Sequence, residues 1–137
     1  MSNIALLIAA IIQVESGGDW TLPPNHRGAA GGMQVKMIQV HELARLTKLA
    51  GWEVPYRSKD RYDKQRTIAA AALYFAHYSD AWWRWYGRPP TNREMSAWWR
   101  VGYAASQNPT AKEARWMRDY WRKVGKAMEG GSGPKTL

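Results

Sequence analysis

The chain has no cysteine among its 137 residues, which excludes a disulfide framework and a thiolate metal site and leaves the redox compartment open. Three scattered histidines, His26, His41 and His77, do not make a zinc site by themselves, so no metal and no cofactor are expected. No stretch alternates polar and apolar residues with a period of two, so no substantial sheet is expected. Without a strand ahead of it, the segment from Gly28 to Gly32 cannot serve as a phosphate-cradling loop. Serine, cysteine and lysine nucleophile schemes need a partner base in a recognisable setting, and none is present. The apolar run at the amino end has no basic stretch before it, is too short to span a bilayer, and shows no small-residue cleavage pattern before Glu15. Neither a signal peptide nor a transmembrane segment is therefore expected. Acids are scarce as well, 11 Asp+Glu against 20 Lys+Arg, with no carboxylate at all between Asp19 and Glu42.

What is present has a clear bias. A formal charge of +9 favours a polyanionic partner: nucleic acid, a cell-wall polymer or a membrane surface. Nine Trp and seven Tyr against one Phe supply rings with a flat apolar face and a polar edge, which suit sugars as well as bases, although most of them are expected to pack helices. The length fits one domain with a real core, here residues 1–128, followed by a frayed tail, 129–137.

The organising stretch is Ile4 to Val14, almost wholly apolar, which ends in Glu15 and Ser16 and is cut by Gly17-Gly18. It reads as a buried helix, N-capped by Ser2 or Asn3, whose last turn delivers one acid to a cleft. Apolar surroundings raise a carboxyl pKa by desolvating the charged form, as a general acid working near neutrality requires. Glu15 is the catalytic candidate, and the alternative is a helix-end residue turned to solvent. A loop from Asp19 to Ala30, with Pro23-Pro24, follows and is expected to cover the site. A second helix is expected from about Met33 to Ala50, a connecting loop from Trp52 to Asp60, and a long helix from about Arg61 to Tyr86 that Gly87 to Pro90 stops. Three aromatics within four residues, Trp82, Trp83 and Trp85, cannot share one helix face, so at least one belongs to the core. Thr91 with Glu94, and Thr110 with Glu113, are capping-box pairs that start a helix to Gly102 or Ser106 and a final helix to about Met128. That last helix carries Lys112, Arg115, Arg118, Arg122, Lys123 and Lys126, with Trp116, Tyr120 and Val124 as its buried stripe. The fold class is all-α, with about five helices.

A lone acid, many Trp and Tyr rings and a basic surface fit glycoside cleavage in an anionic glycan. Ile12-Gln13-Val14-Glu15-Ser16-Gly17-Gly18 followed by Gly31-Gly32-Met33-Gln34-Val35 resembles the Glu-Ser and Gly-Leu-Met-Gln motifs of the soluble lytic transglycosylases and goose-type lysozymes. Trp99-Arg100-Val101-Gly102 aligns with their aromatic-Asn-x-Gly motif, and Tyr120-Trp121-Arg122-Lys123-Val124 resembles the ending of small phage-encoded members. The resemblance covers most of residues 4 to 124. It implies a lysozyme-like helical domain with a cleft that cuts the β-1,4 bond between N-acetylmuramic acid and N-acetylglucosamine. On that template Glu15 is acid and then base, Ser16 supports its orientation or touches the glycan, and Gln34 lines the cleft. Met33, Trp99, Arg100 and Tyr103 are the remaining expected ligand contacts.

Two departures stand out: the family Leu is Gly32 here, and the family Asn is Arg100, a cation suited to a muramyl or peptide carboxylate. Where goose-type lysozymes carry an auxiliary Asp, this chain has Asn25-His26-Arg27-Gly28. An inverting hydrolase needs two carboxyl groups roughly 6.5–9.5 Å apart with a water between them, and no second acid is evident. Anhydro-forming cleavage is therefore favoured over hydrolysis. A lysozyme-like protein that has lost activity and a basic nucleic-acid binder are the competing classes. The partner expected is the peptidoglycan glycan strand, with no nucleic acid, and the protein is expected to be a monomer. The missing export signal points to a phage product that reaches the bacterial periplasm through a holin or with the virion.

Overall fold

The structure, a computed structural model, describes residues 3–131. They form helices α1 (Asn3–Ser16), α2 (Met37–Leu49), a 3-10 helix (Ser58–Tyr62), α3 (Lys64–Tyr86), α4 (Asn92–Val101), α5 (Tyr103–Gln107) and α6 (Ala111–Gly131). The sole β-type pairing among the described residues is one antiparallel bridge, Ala30 to Val35, so the class is all-α as expected. No described helix is long and apolar enough to cross a membrane. The chain divides into two compact units, one comprising residues up to Val14 and from Tyr78 onward, the other Glu15–His77.

In the first unit the helices start where the sequence caps them. Thr91 Oγ1 accepts the Glu94 amide at 3.1 Å and Glu94 Oε1 accepts the Thr91 amide at 2.8 Å, and Thr110 and Glu113 repeat the exchange at 3.1 and 3.0 Å. Gly102, at φ 92° and ψ 151°, separates α4 from α5 in a conformation that side chains resist. Five consecutive buried residues, Met95 to Trp99, cover every azimuth of α4, which packs on α5 and α6. Trp82 is buried while Trp83 and Trp85 are exposed, as their spacing requires. In α6, Tyr120 and Val124 are buried, Trp116 is half-buried, and the six cations are exposed. This helix runs to Gly131, so residues 129–131 are helical rather than frayed. The remainder of the expected tail, 132–137, and the candidate cap Ser2 lie outside the described residues.

In the second unit two starts move. The residues 31–34, expected to open α2, form a turn instead, because Gly31 and Gln34 take φ of 76° and 50°, which a right-handed helix cannot contain. The helix begins only at Met37, with Gln39 Oε1 accepting the Lys36 amide at 2.7 Å. Residues expected as loop and first helical turn form the 3-10 helix Ser58–Tyr62. Helix α3 starts at Lys64 because Asp63 caps it, Oδ1 accepting the Arg66 amide at 3.0 Å. The core here is partly polar. The Thr47 hydroxyl accepts the Tyr56 amide, Tyr56 donates its hydroxyl to Thr67 at 2.8 Å, and Thr67 donates to the Asp60 carbonyl at 2.7 Å. Burial pushes the Tyr56 phenol up to about 12.

Candidate active site

Glu15 and Ser16 are the last two residues of α1, both half-buried, and Gly17 and Gly18 (φ 63° and 91°) turn the chain away after them. The Ser16 hydroxyl donates to the Gly32 carbonyl at 2.7 Å and accepts the Gly18 amide at 3.1 Å. Ser16 is thus a fastener: its one proton is committed to the turn that holds Gln34. The Glu-Ser segment and the Gly-Gly-Met-Gln segment, 16 positions apart between Ser16 and Gly32, are joined directly.

The turn itself is narrowly defined. Ala30 and Val35 exchange backbone hydrogen bonds at 3.1 and 3.0 Å, and the Gly31 amide donates to the Leu22 carbonyl at 3.0 Å. A Cβ on Gly31 would overlap the Arg61 carbonyl, so both its φ and its surroundings demand glycine. Gln34 is the only non-glycine residue at positive φ among those described, a conformation costing about 1–2 kcal/mol. Its side chain helps to hold it there, Nε2 donating to the Gly31 carbonyl at 2.8 Å and Oε1 accepting from Asn25 Nδ2 at 3.3 Å. Half-buried, Gln34 keeps a second N–H and a second lone pair for a ligand. Met33, by contrast, is 0 % exposed, so it anchors the turn in the core instead of meeting a ligand.

Sequence reasoning missed three supports. Arg61, 7 % exposed, donates through Nη1 to the carbonyls of Gly28 (2.9 Å) and Val35 (3.2 Å) and through Nε to that of Ser58 (2.9 Å). A buried cation spent on carbonyls leaves no mark in composition or spacing. Its neighbour Asp60, also buried, accepts the Arg57 amide at 2.8 Å and pairs with Arg66 at 3.1 Å. Trp20, half-buried, occupies the space where Gly32 would carry a Cβ. The departure from Leu at that position had a partner in sequence, an unassigned Trp in the preceding loop, and that coincidence of large and small was the available signal.

Asp19, the acid nearest Glu15 in sequence, is exposed. Its Oδ1 takes both the hydroxyl (2.6 Å) and the amide (2.9 Å) of Thr21, which hold its carboxyl below the usual range. A carboxylate so stabilised is a weak base at neutral pH.

Trp99, Arg100 and Tyr103 belong to the other unit. Trp99 is 4 % exposed and serves the core of α4 rather than a ligand. Arg100 lies with Cζ 4.9 Å from the centre of the Trp116 ring, which Lys112 also approaches at 5.2 Å. Tyr103 stacks on Tyr78 at 4.4 Å and meets Trp98 edge-on at 5.1 Å. Burial, and then the nearby Tyr86, raise its phenol above the ordinary value. Among the described residues no three His, Asp or Glu side chains converge as metal ligands would. Compared with models of known protein families the chain matches none, and no curated protein proves similar to it.

Proposed function

We propose that this protein is a lytic transglycosylase that cuts the β-1,4 bond between N-acetylmuramic acid and N-acetylglucosamine in peptidoglycan. The observation that carries the reading is the 2.7 Å bond from Ser16 Oγ to the Gly32 carbonyl. It ties the acid-bearing helix end to the turn that presents Gln34, the two segments on which the family resemblance rests. Glu15 protonates the glycosidic oxygen as the C1–O bond breaks, and the substrate's N-acetyl oxygen stabilises the cationic C1. The muramyl 6-hydroxyl then attacks C1 and returns its proton to Glu15, leaving a 1,6-anhydro end. One carboxyl suffices for both steps, which agrees with Asp19 being held as a weak base by Thr21. Gln34 hydrogen-bonds the glycan. The protein acts as a monomer, encoded by a phage and brought to the periplasmic wall by a holin or the virion.

A second reading, a basic polyanion binder, draws on the six exposed cations of α6. Glu15→Gln separates the two. General acid and base catalysis contributes about 10²–10⁴-fold, so clearance of purified peptidoglycan should fall at least a hundredfold while polyanion binding persists. Mass spectrometry of the digest identifies the chemistry: anhydro ends support the proposal, reducing ends indicate a hydrolase, and parental clearance by Glu15→Gln refutes Glu15 as the acid.

A further inference from the structure

Trp20 is held by its surroundings more firmly than a loop aromatic needs to be. Asp19 Oδ1 grips the amide and hydroxyl of Thr21, the Asp19 amide donates to the Ser16 carbonyl at 3.2 Å, and Leu22 accepts the Gly31 amide at 3.0 Å. The backbone is thus pinned on both sides of the indole. A Cβ built on Gly32 would overlap Cδ2 and Cε2 and lie 2.6 Å from Cε3. Cδ2 and Cε2 form the ring-fusion bond, which can be approached this closely only through a ring face. One face of Trp20 is therefore taken by Gly32, and the exposure that remains to this half-buried side chain belongs to its edges and its opposite face. Gly32 does not have a left-handed backbone, so it is glycine for room and not for conformation.

We propose that the outer face of Trp20 is a saccharide platform that binds a pyranose ring of the glycan, an inference that rests on the glycan-cleaving reading above. An N-acetylhexosamine presents an apolar C–H face that an indole matches, with its hydroxyls left to water at the rim. A platform immobilised in advance loses little freedom on binding.

The test reads binding, in the Glu15→Gln background so that ligand is not consumed, with chitotetraose and purified sacculi as probes. Trp20→Leu should lose about tenfold in affinity and Trp20→Phe about threefold or less, on the scale of one aromatic contact. Trp20→Ala should unfold at lower temperature, and Trp20→Ala with Gly32→Leu, which returns the missing bulk from the turn side, should recover the melting temperature but not the affinity. Recovery of both would show that Trp20 only fills space and would overturn the proposal. So would parental affinity in Trp20→Leu, or no glycan binding by Glu15→Gln itself. If the double variant fails to fold, the Phe and Leu pair decides. Turnover by Glu15→Gln would sink the cleavage reading yet leave this binding comparison to stand or fall alone.

Discussion

The two units are specified over different ranges of sequence. From Tyr78 onward, α4 and α6 each begin with a reciprocal cap spanning three positions, and the core between is aromatic: Trp98 meets Trp82 at 5.8 Å, Tyr78 at 6.4 Å and Tyr103 at 5.1 Å. In Glu15–His77 the decisive bonds come from afar, 16 positions for Ser16 to Gly32, 26 for Arg61 to Val35 and 33 for Arg61 to Gly28. Local signals suffice to build scaffold helices. The turn that carries the strained Gln34 has one local tie, from Nε2 to the Gly31 carbonyl, and depends for the rest on distant polar ones.

The largest expected effect is in the aromatic core. Trp98, 1 % exposed, should cost about 3–5 kcal/mol on replacement by Ala, read from urea unfolding. Next, Arg61→Ala leaves the Gly28, Val35 and Ser58 carbonyls without their charged donor. At about 1.5–3 kcal/mol for one such bond, we expect a loss near 3 kcal/mol and faster amide exchange at Ala30 and Val35. Unchanged exchange there would remove the basis for contrasting the units. Thr91→Ala should cost about 1 kcal/mol, confined to the start of α4. A loss exceeding that of Arg61→Ala would invert the comparison. The smallest effect at neutral pH is Tyr56→Phe, about 0.5 kcal/mol, because Thr67 keeps its bond to Asp60. Its signature is alkaline. With a folded value of about 12 against an ordinary 10.0, the neutral phenol supports folding fully below pH 10, and that support is lost as pH rises toward 12. Tyr56→Phe should flatten the window when stability is followed across it.

What could be read in advance follows the same division. The all-α class, both capping boxes and the split among Trp82, Trp83 and Trp85 were legible because each depends on neighbours three or four positions away. The start of α2 was not, since Met33, Gln34 and Val35 suit a helix in composition and only the positive φ of Gly31 and Gln34 excludes it. Nor was the start of α3, because Asp63 and Asp60 look equally apt as caps until the 3-10 helix separates them. Of the candidate site, the paired motifs pointed to two segments that the fold joins, at the bond from Ser16 to the Gly32 carbonyl. Met33 and Trp99 were misjudged because motif membership says nothing of burial, and Arg61 and Trp20 were invisible because their roles exist only once the chain is folded.

Gly31 lies so close to the Arg61 carbonyl that no side chain fits between them. The guanidinium of the same arginine bonds the Gly28 and Val35 carbonyls that flank this turn, making residues 28–35 a hairpin clasped by one side chain. The hairpin and the 3-10 helix are therefore one cassette in two pieces. Replacing residues 28–35 by an unrelated turn while keeping residues 57–61 should cause misassembly, since Arg61 is fitted to the Gly28 and Val35 carbonyls.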